Sequence, residues 1–298
     1  VGWRLQSRGD KLLDLFIVCL FVLLMLLIIY PIYWVIIASV SNPTAVNVGH
    51  VLFLPKGLNL LGYKLILQYR QIWIGYRNTI VYTGLGTLLS VSITMLAGYA
   101  LSRQDLVGRN LVAIFFVITL FFNGGLIPTW LVVRDLGMLN TIWAMIIPGS
   151  VSAFNILIAR AFFYSGIPEE LLEAARVDGC GDFRFFWSIV LPLSLPIMVV
   201  LAVFTSVGIW NSYVPALIYL TNESLYPLQM VLRDLLILNQ TQTSMLNPLT
   251  MQSLQQQQLV AEEIQYGVVV VASVPMMMVY PFLLKYFSKG LTLGAVKG

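Results

Sequence analysis

Six runs of apolar residues punctuate the chain, each long enough to cross a hydrocarbon core. A spanning helix needs about 20 predominantly apolar residues, and residues 12–38, 78–101, 111–133, 139–159, 195–220 and 264–284 meet that length. They predict an all-α polytopic membrane protein: six transmembrane helices in one transmembrane domain over residues 1–298. The first run follows Arg4, Arg8 and Lys11 and precedes Ala38 and Ser39, an order shared with signal peptides. Its apolar stretch far exceeds the roughly 7 to 15 residues of a signal core, so it reads as an uncleaved span.

Two polar intervals between the runs carry patterns of their own. In the first, residues 164–188, Pro168 suits a first helical position, Glu169 and Glu170 sit where the helix dipole favours negative charge, and Gly179 and Gly181 stop the pattern. About 11 residues give roughly 16 Å of helix, too short to span and too short to stand alone in water, so it needs a surface to dock on. In the second, residues 221–263, Leu228, Val231, Leu232, Leu235 and Leu236 after Pro227 mark one apolar helix face, with Gln229 and Arg233 on the other. Such a helix lies on the membrane surface, against a partner, or on the protein's own outer face. The Gln-rich stretch that follows, residues 240–258, is polar and nearly uncharged and reads as an exposed excursion.

Composition agrees with a membrane protein: 59% of residues are hydrophobic, 10% are charged, and mean hydropathy is +0.86. Lys and Arg set the orientation. With the N-terminus inside, the inner segments hold Arg4, Arg8, Lys11, Arg103, Arg109, Arg160, Arg176, Arg184, Lys285, Lys289 and Lys297. The outer ones hold Lys56, Lys64, Arg70, Arg77, Arg134 and Arg233, so the 17 basic residues divide 11 to 6 and favour both termini cytoplasmic. No basic and aromatic stripe suggests nucleic acid. Cys19 and Cys180 give no disulfide framework, and His50 alone makes no metal site. A G-x-x-x-x-G-K-[ST] phosphate loop is missing, as is any nucleophile–base pair, so no enzyme and no nucleotide site is expected in this chain. The runs lack mid-membrane ionisable groups, which argues against a proton- or sodium-coupled carrier.

Glu173, Ala174 and Ala175, followed by Gly179 and then by Ile189, Leu191 and Pro192, match the EAA loop of permease subunits of binding-protein-dependent ABC importers. The tail Gly290, Leu291, Thr292, Gly294 and Lys297, within residues 285–298, resembles the end of the second permease subunit of maltose-type carbohydrate importers. The resemblance implies a cytoplasmic coupling helix between spans 4 and 5, seated in a cleft of an ATPase subunit through Glu169, Glu170, Glu173, Ala174, Ala175, Asp178 and Gly179. It implies that the tail reaches the ATPase dimer. The implied partners are a second, different permease, two ATPase subunits that hold ATP and Mg, an extracytoplasmic solute-binding protein, and a sugar or oligosaccharide, all at a bacterial-type cytoplasmic (inner) membrane. Read without the resemblance, Glu173 pairs with Arg176 on its own helix.

For the cargo, neutral amides and aromatic faces in the spans fit saccharides: Asn123, Ser152, Asn155, Trp210, Asn211 and Tyr213. The same residue types also bond between helices or sit in interfacial belts. A permease for a non-sugar solute is the alternative within the family, and a self-contained channel or carrier the alternative outside it.

Overall fold

The computed structural model describes residues 8–245 and 264–278, and the regular structure within them is helical. In chain order the helices are α1 (Arg8–Ser39), α2 (Pro43–Asn47), α3 (Leu61–Gln68), α4 (Arg70–Ser102), α5 (Arg109–Phe121), α6 (Leu126–Asp135), α7 (Trp143–Ile146) and α8 (Ala153–Gly166). Then come α9 (Glu169–Val177), α10 (Asp182–Phe185), a π turn at Phe186–Val190, α11 (Leu191–Leu193), α12 (Leu195–Trp210), α13 (Val214–Tyr219), α14 (Leu228–Met245) and α15 (Ile264–Met278). Contacts divide the chain into two units, described separately: residues 1–69 with 234–273, and residues 70–233 with 274–298.

In the first unit α1 runs 32 residues, through Pro31, and its most apolar window is 0% buried. A helix apolar on all sides belongs in lipid or against other membrane helices. Its C-terminal end is fastened to an extended segment: Trp34 Nε1 donates to the Val51 carbonyl at 2.9 Å, Tyr30 hydroxyl to that of Leu52 at 3.3 Å, and Tyr33 hydroxyl to that of Phe53. Ile37, Ala38, Val46 and Val51 are buried beside this junction, with Tyr266 of α15 edge-on to Trp34 at 5.6 Å.

In the second unit α4 is the spine, packed along α8 and α12. Close approach requires a missing side chain at Gly98, where a Cβ would stand 2.6 Å from the Ala159 Cβ of α8. Near the start of α4, Asn78 Nδ2 donates to the Ser224 and Tyr226 carbonyls at 2.8 and 3.0 Å, Tyr82 hydroxyl donates to that of Leu225 at 2.8 Å, and Thr79 Oγ1 accepts from Leu228 N–H at 2.8 Å. These bonds lay the beginning of the amphipathic α14 on α4, with Leu228, Val231 and Leu232 buried. Of the placements open to that helix, its first turns take the protein's own surface.

Three apolar runs are not the single helices their length predicts. The run 111–133 becomes α5 and α6, bent by 115°. The break follows from Asn123, whose Oδ1 accepts from Gly125 N–H at 2.8 Å, and from Gly125 at φ 82°, ψ 177°, a conformation essentially reserved for glycine. The run 139–159 holds only the four-residue α7 before the chain leaves helix around Pro148 and Gly149 and restarts as α8, capped by Ser152, whose hydroxyl accepts from Asn155 N–H at 3.3 Å. Proline lacks a donor and glycine has poor helix propensity, so apolarity alone does not sustain a helix there. The run 195–220 is interrupted at residues 211–213, between α12 and α13. Among the described residues, α1 and α4 each suffice by length and composition to cross a membrane, rising to four spans if each bent pair counts once. The sixth run is helical over Ile264–Met278, and residues 279–284 lie outside the described residues.

Candidate functional site

The interval after α8 folds as its capping signals dictate. Pro168 takes the N-cap position at φ −60°, ψ 143°, one residue outside the helix rather than at its first position, and α9 runs Glu169–Val177. Gly179 at φ +75° ends it: its N–H donates to the Arg176 carbonyl at 3.0 Å, and Cys180 N–H donates to that of Ala175 at 2.8 Å. Those two bonds are a Schellman closure, which needs a left-handed residue and therefore selects glycine.

One face of α9 is seated. Ala175 is buried and Leu172 half-buried in a core that includes Met95 of α4, Ala159 and Phe163 of α8, Phe185 and Phe186 after α9, and Ile197 and Leu201 of α12. The opposite face is open. Glu170, Glu173 and Ala174 are exposed and Val177 is 88% exposed, at the i, i+3, i+4, i+7 spacing of a single stripe. Acidic groups with an apolar residue on that stripe form a surface with no cover among the described residues.

Arg176 turns away from Glu173, so the ion pair between them is corrected. Its Nη2 lies 2.9 Å from Asp105 Oδ2 and 3.8 Å from Asp182 Oδ1. Arg103 completes the cluster. It grips Asp105 through both Nε and Nη2, reaches Asp182 at 3.2 Å, donates to Tyr99 hydroxyl at 2.9 Å, and stands 5.8 Å above the Tyr99 ring. The Arg103 side chain is 13% exposed, against 50% for both Asp105 and Arg176. The Arg103 guanidinium holds the Asp105 carboxyl well below the usual carboxylate range, with burial opposing it and Arg176 reinforcing it. In the other direction, the bond to Asp105 raises Arg103 beyond its already high ordinary value. A cavity of about 390 Å³ lies between these groups and α9, lined by Tyr99, Arg103, Glu169, Leu172, Arg176 and Phe185. The short connection after α4 thus serves α9, and the Arg103-x-Asp105 spacing in a chain so poor in charge was its sequence signal.

The residues singled out for cargo each have a local setting of their own. Asn123 turns the chain ahead of α6 by accepting from Gly125 N–H, and Ser152 caps α8 through its own side chain. Trp210 is buried at 6%, so its ring is not an open face. Asn211 Nδ2 donates to the Val207 carbonyl of its own helix at 2.9 Å, while Tyr213 is 41% exposed. Asn155 is half-buried on α8. Gly290, Leu291, Thr292, Gly294 and Lys297 lie outside the described residues. A residue that sequence reasoning missed is Asn140, at φ 56°, whose Oδ1 accepts from the N–H groups of Thr221 and Asn222 at 2.6 and 3.1 Å and from the Thr221 hydroxyl at 3.0 Å.

A family model described as "Binding-protein-dependent transport system inner membrane component" matches residues 2–293. The polygalacturonan/rhamnogalacturonan transport system permease protein YtcP of Bacillus subtilis is 36% identical over 289 residues, spanning 97% of this chain and 99% of that protein. Protein LplC of the same bacterium is 37% identical over 270 residues, spanning 91% of this chain and 90% of its own length. A crystal structure of a bacterial ABC transporter involved in the import of the acidic polysaccharide alginate contains a chain of 30% identity and TM-score 0.83, with 95% of this chain and 99% of that chain covered. Matched along almost its whole length and built of apolar helices, the chain belongs to the family of binding-protein-dependent transport system inner membrane components, and it is a multi-pass protein of that membrane.

Proposed function

We propose that this chain is a permease subunit of an ABC importer for oligosaccharides, that it forms half of a translocation pathway with a second, different permease, and that α9 is the coupling helix through which separate ATPase subunits drive it. The carrying observation is the uncovered stripe Glu170, Glu173, Ala174 and Val177 on a helix too short to exist for its own sake. Six crossings with both termini cytoplasmic place α9 on the ATPase side, a topology supported by the 11 to 6 division of basic residues. Glu169, Asp178 and the tail residues Gly290 to Lys297 complete the proposed ATPase contact, and ATP with Mg belongs to the ATPase. A solute-binding protein delivers the cargo from outside.

The sugar assignment is supported by a relative whose name specifies polygalacturonan and rhamnogalacturonan, and by the structural relative from an importer of alginate, an acidic polysaccharide. Uronate-bearing oligosaccharides are therefore the first cargoes to assay. Within the spans, Asn155, Asn211 and Tyr213 are the proposed sugar contacts, and Asn123 and Ser152 act on the path through the helix breaks they help form.

The test uses the assembled importer in proteoliposomes. Glu173→Lys and Val177→Asp, at parental membrane abundance, should lose copurifying ATPase subunit and binding-protein-stimulated hydrolysis. Normal copurification in both would remove α9 as the docking element, and uptake without any ATPase subunit would replace the importer reading with a self-contained carrier.

A further inference from the structure

The ion cluster beside α9 joins three separate stretches of chain. Arg103 and Asp105 follow α4, Arg176 lies on α9, and Asp182 opens α10. Half-exposed pairs of this kind contribute little to stability, typically about 0.2–1 kcal/mol. The arrangement is nonetheless directional. Leu172 and Ala175 seat α9 through apolar contact, which is non-directional and leaves a helix free to roll about its own axis. Arg176 sits one turn beyond Leu172, where a lateral tie fixes that roll. Its anchor is itself immobilised: Arg103 is forked onto Asp105, bonded to Tyr99 hydroxyl and stacked over the Tyr99 ring, and Tyr99 packs on Phe163 and Phe186 with centroids at 5.6 and 5.1 Å.

We propose that Arg103, Asp105, Arg176 and Asp182 form a strut that transmits displacement of α9 to the end of α4, with Arg176 as the positioning residue at its moving end. This rests on the reading of α9 as the coupling helix. When the docked surface shifts, the tie makes α4 follow instead of letting α9 roll in its apolar seat. Because α4 packs along α8 and α12, a push on its end reaches the helices that carry the proposed sugar contacts. Arg176 engages both carboxylates through one nitrogen, Nη2, so its task is that of a point charge, whereas Arg103 uses its planar fork.

The strut is tested with the complete importer in proteoliposomes, by the sugar transported per ATP hydrolysed. Asp105→Asn and Arg176→Gln, which keep shape and remove charge, should each lower that ratio about fivefold, equivalent to about 1 kcal/mol of coupling. The double variant should be no worse than either single one, because the two act through one contact. Arg176→Lys should retain at least about half of the parental ratio, and Arg103→Lys should not. Copurification of the ATPase subunit stays at the parental level in all of them, in contrast to Glu173→Lys, so failure of the strut is told apart from failure of the docking reading. A parental ratio in both single variants, multiplicative losses in the double variant, or lost copurification in the single variants would each overturn the strut.

Discussion

Replacing Gly179 separates the backbone conformation that ends α9 from the bulk a partner meets there. A Cβ at this position has nothing within 4 Å among the described residues, so the penalty of a larger residue is conformational. Holding a non-glycine residue at a left-handed angle such as φ +75° costs roughly 1–2 kcal/mol, less for Asn because its side chain bonds locally. The closure rests on the N–H groups of Gly179 and Cys180, each bond worth about 1 kcal/mol net, so the penalty equals one or both of them. At about 1.4 kcal/mol per tenfold, Gly179→Ala should raise the frayed population of the last turn roughly fivefold to thirtyfold. Gly179→Asn should raise it less, and the β-branched Gly179→Val most. The assay is sugar uptake per ATP hydrolysed at equal membrane abundance, with the expected order Gly, Asn, Ala, Val. An Asn variant as impaired as the Val variant, beside an Ala variant near the parental rate, would refute the conformational argument and place a partner's surface against this position.

Further tests follow from other contacts. Gly98→Ala places a Cβ 2.6 Å from that of Ala159 and should destabilise the detergent-solubilised protein by about 1–3 kcal/mol, whereas Gly84→Ala, with nothing within 4 Å, should melt at or above the parental temperature. Equal melting of the two would refute the close approach. Asn140→Ala should lower stability by about 2 kcal/mol through three lost acceptor contacts and a positive φ, with Asn140→Asp near parental in the same thermal scan. The Asp105 carboxyl is depressed from its ordinary 3.8, so its contribution is fully present above that value and is lost only in stronger acid, as pH falls through the lowered one. The ratio of coupled uptake between parent and Asp105→Asn should accordingly stay flat from about pH 5 to 8, and a change within that window would contradict it. Asn211→Leu should reduce sugar-stimulated turnover more than Trp130→Leu at matched abundance, and an unaffected Asn211 variant would remove the 211–213 break from the path.

The local grammar of α9 was legible because each signal acts over one or two turns: a proline before it, two acids in its first turn and glycine after it determine a short helix whatever surrounds them. The apolar runs were legible as membrane-embedded helix, but not as continuous or broken helix. Hydropathy measures solubility in lipid and is nearly blind to the backbone, so the turn at Asn123 to Gly125 and the restart at Ser152 were concealed inside runs of the right length. The burial of Trp210 was hidden for a related reason, since an aromatic residue in a span does not reveal which side it faces. The strut was illegible because Asp105 and Arg176 are distant in sequence, and the nearer Glu173 offered Arg176 an obvious partner of the right charge and spacing.

The bend at Ser194 bears on where mechanical compliance resides. Helical segments Asp182–Leu193 and Leu195–Trp210 meet there at 77°. Pro196 brings no N–H to the junction, so the Pro192 carbonyl has no ladder bond across it to lose as the angle changes. The Ser194 N–H is bonded back to the Val190 and Leu191 carbonyls at 3.0 and 3.1 Å, and its hydroxyl to Val190 at 2.7 Å. All three of those bonds remain within the arm that leaves α9. The Ser194 carbonyl in turn accepts from Met198 N–H of α12 at 3.0 Å, so a swing of α12 pivots at Ser194 itself and is resisted by Ile197 and Leu201 packed in the apolar core. Such a joint has its spring constant written in side-chain volume. Trimming or enlarging either residue would retune how far a given stroke at α9 carries, with the hydrogen-bonded frame on the α9 side unchanged.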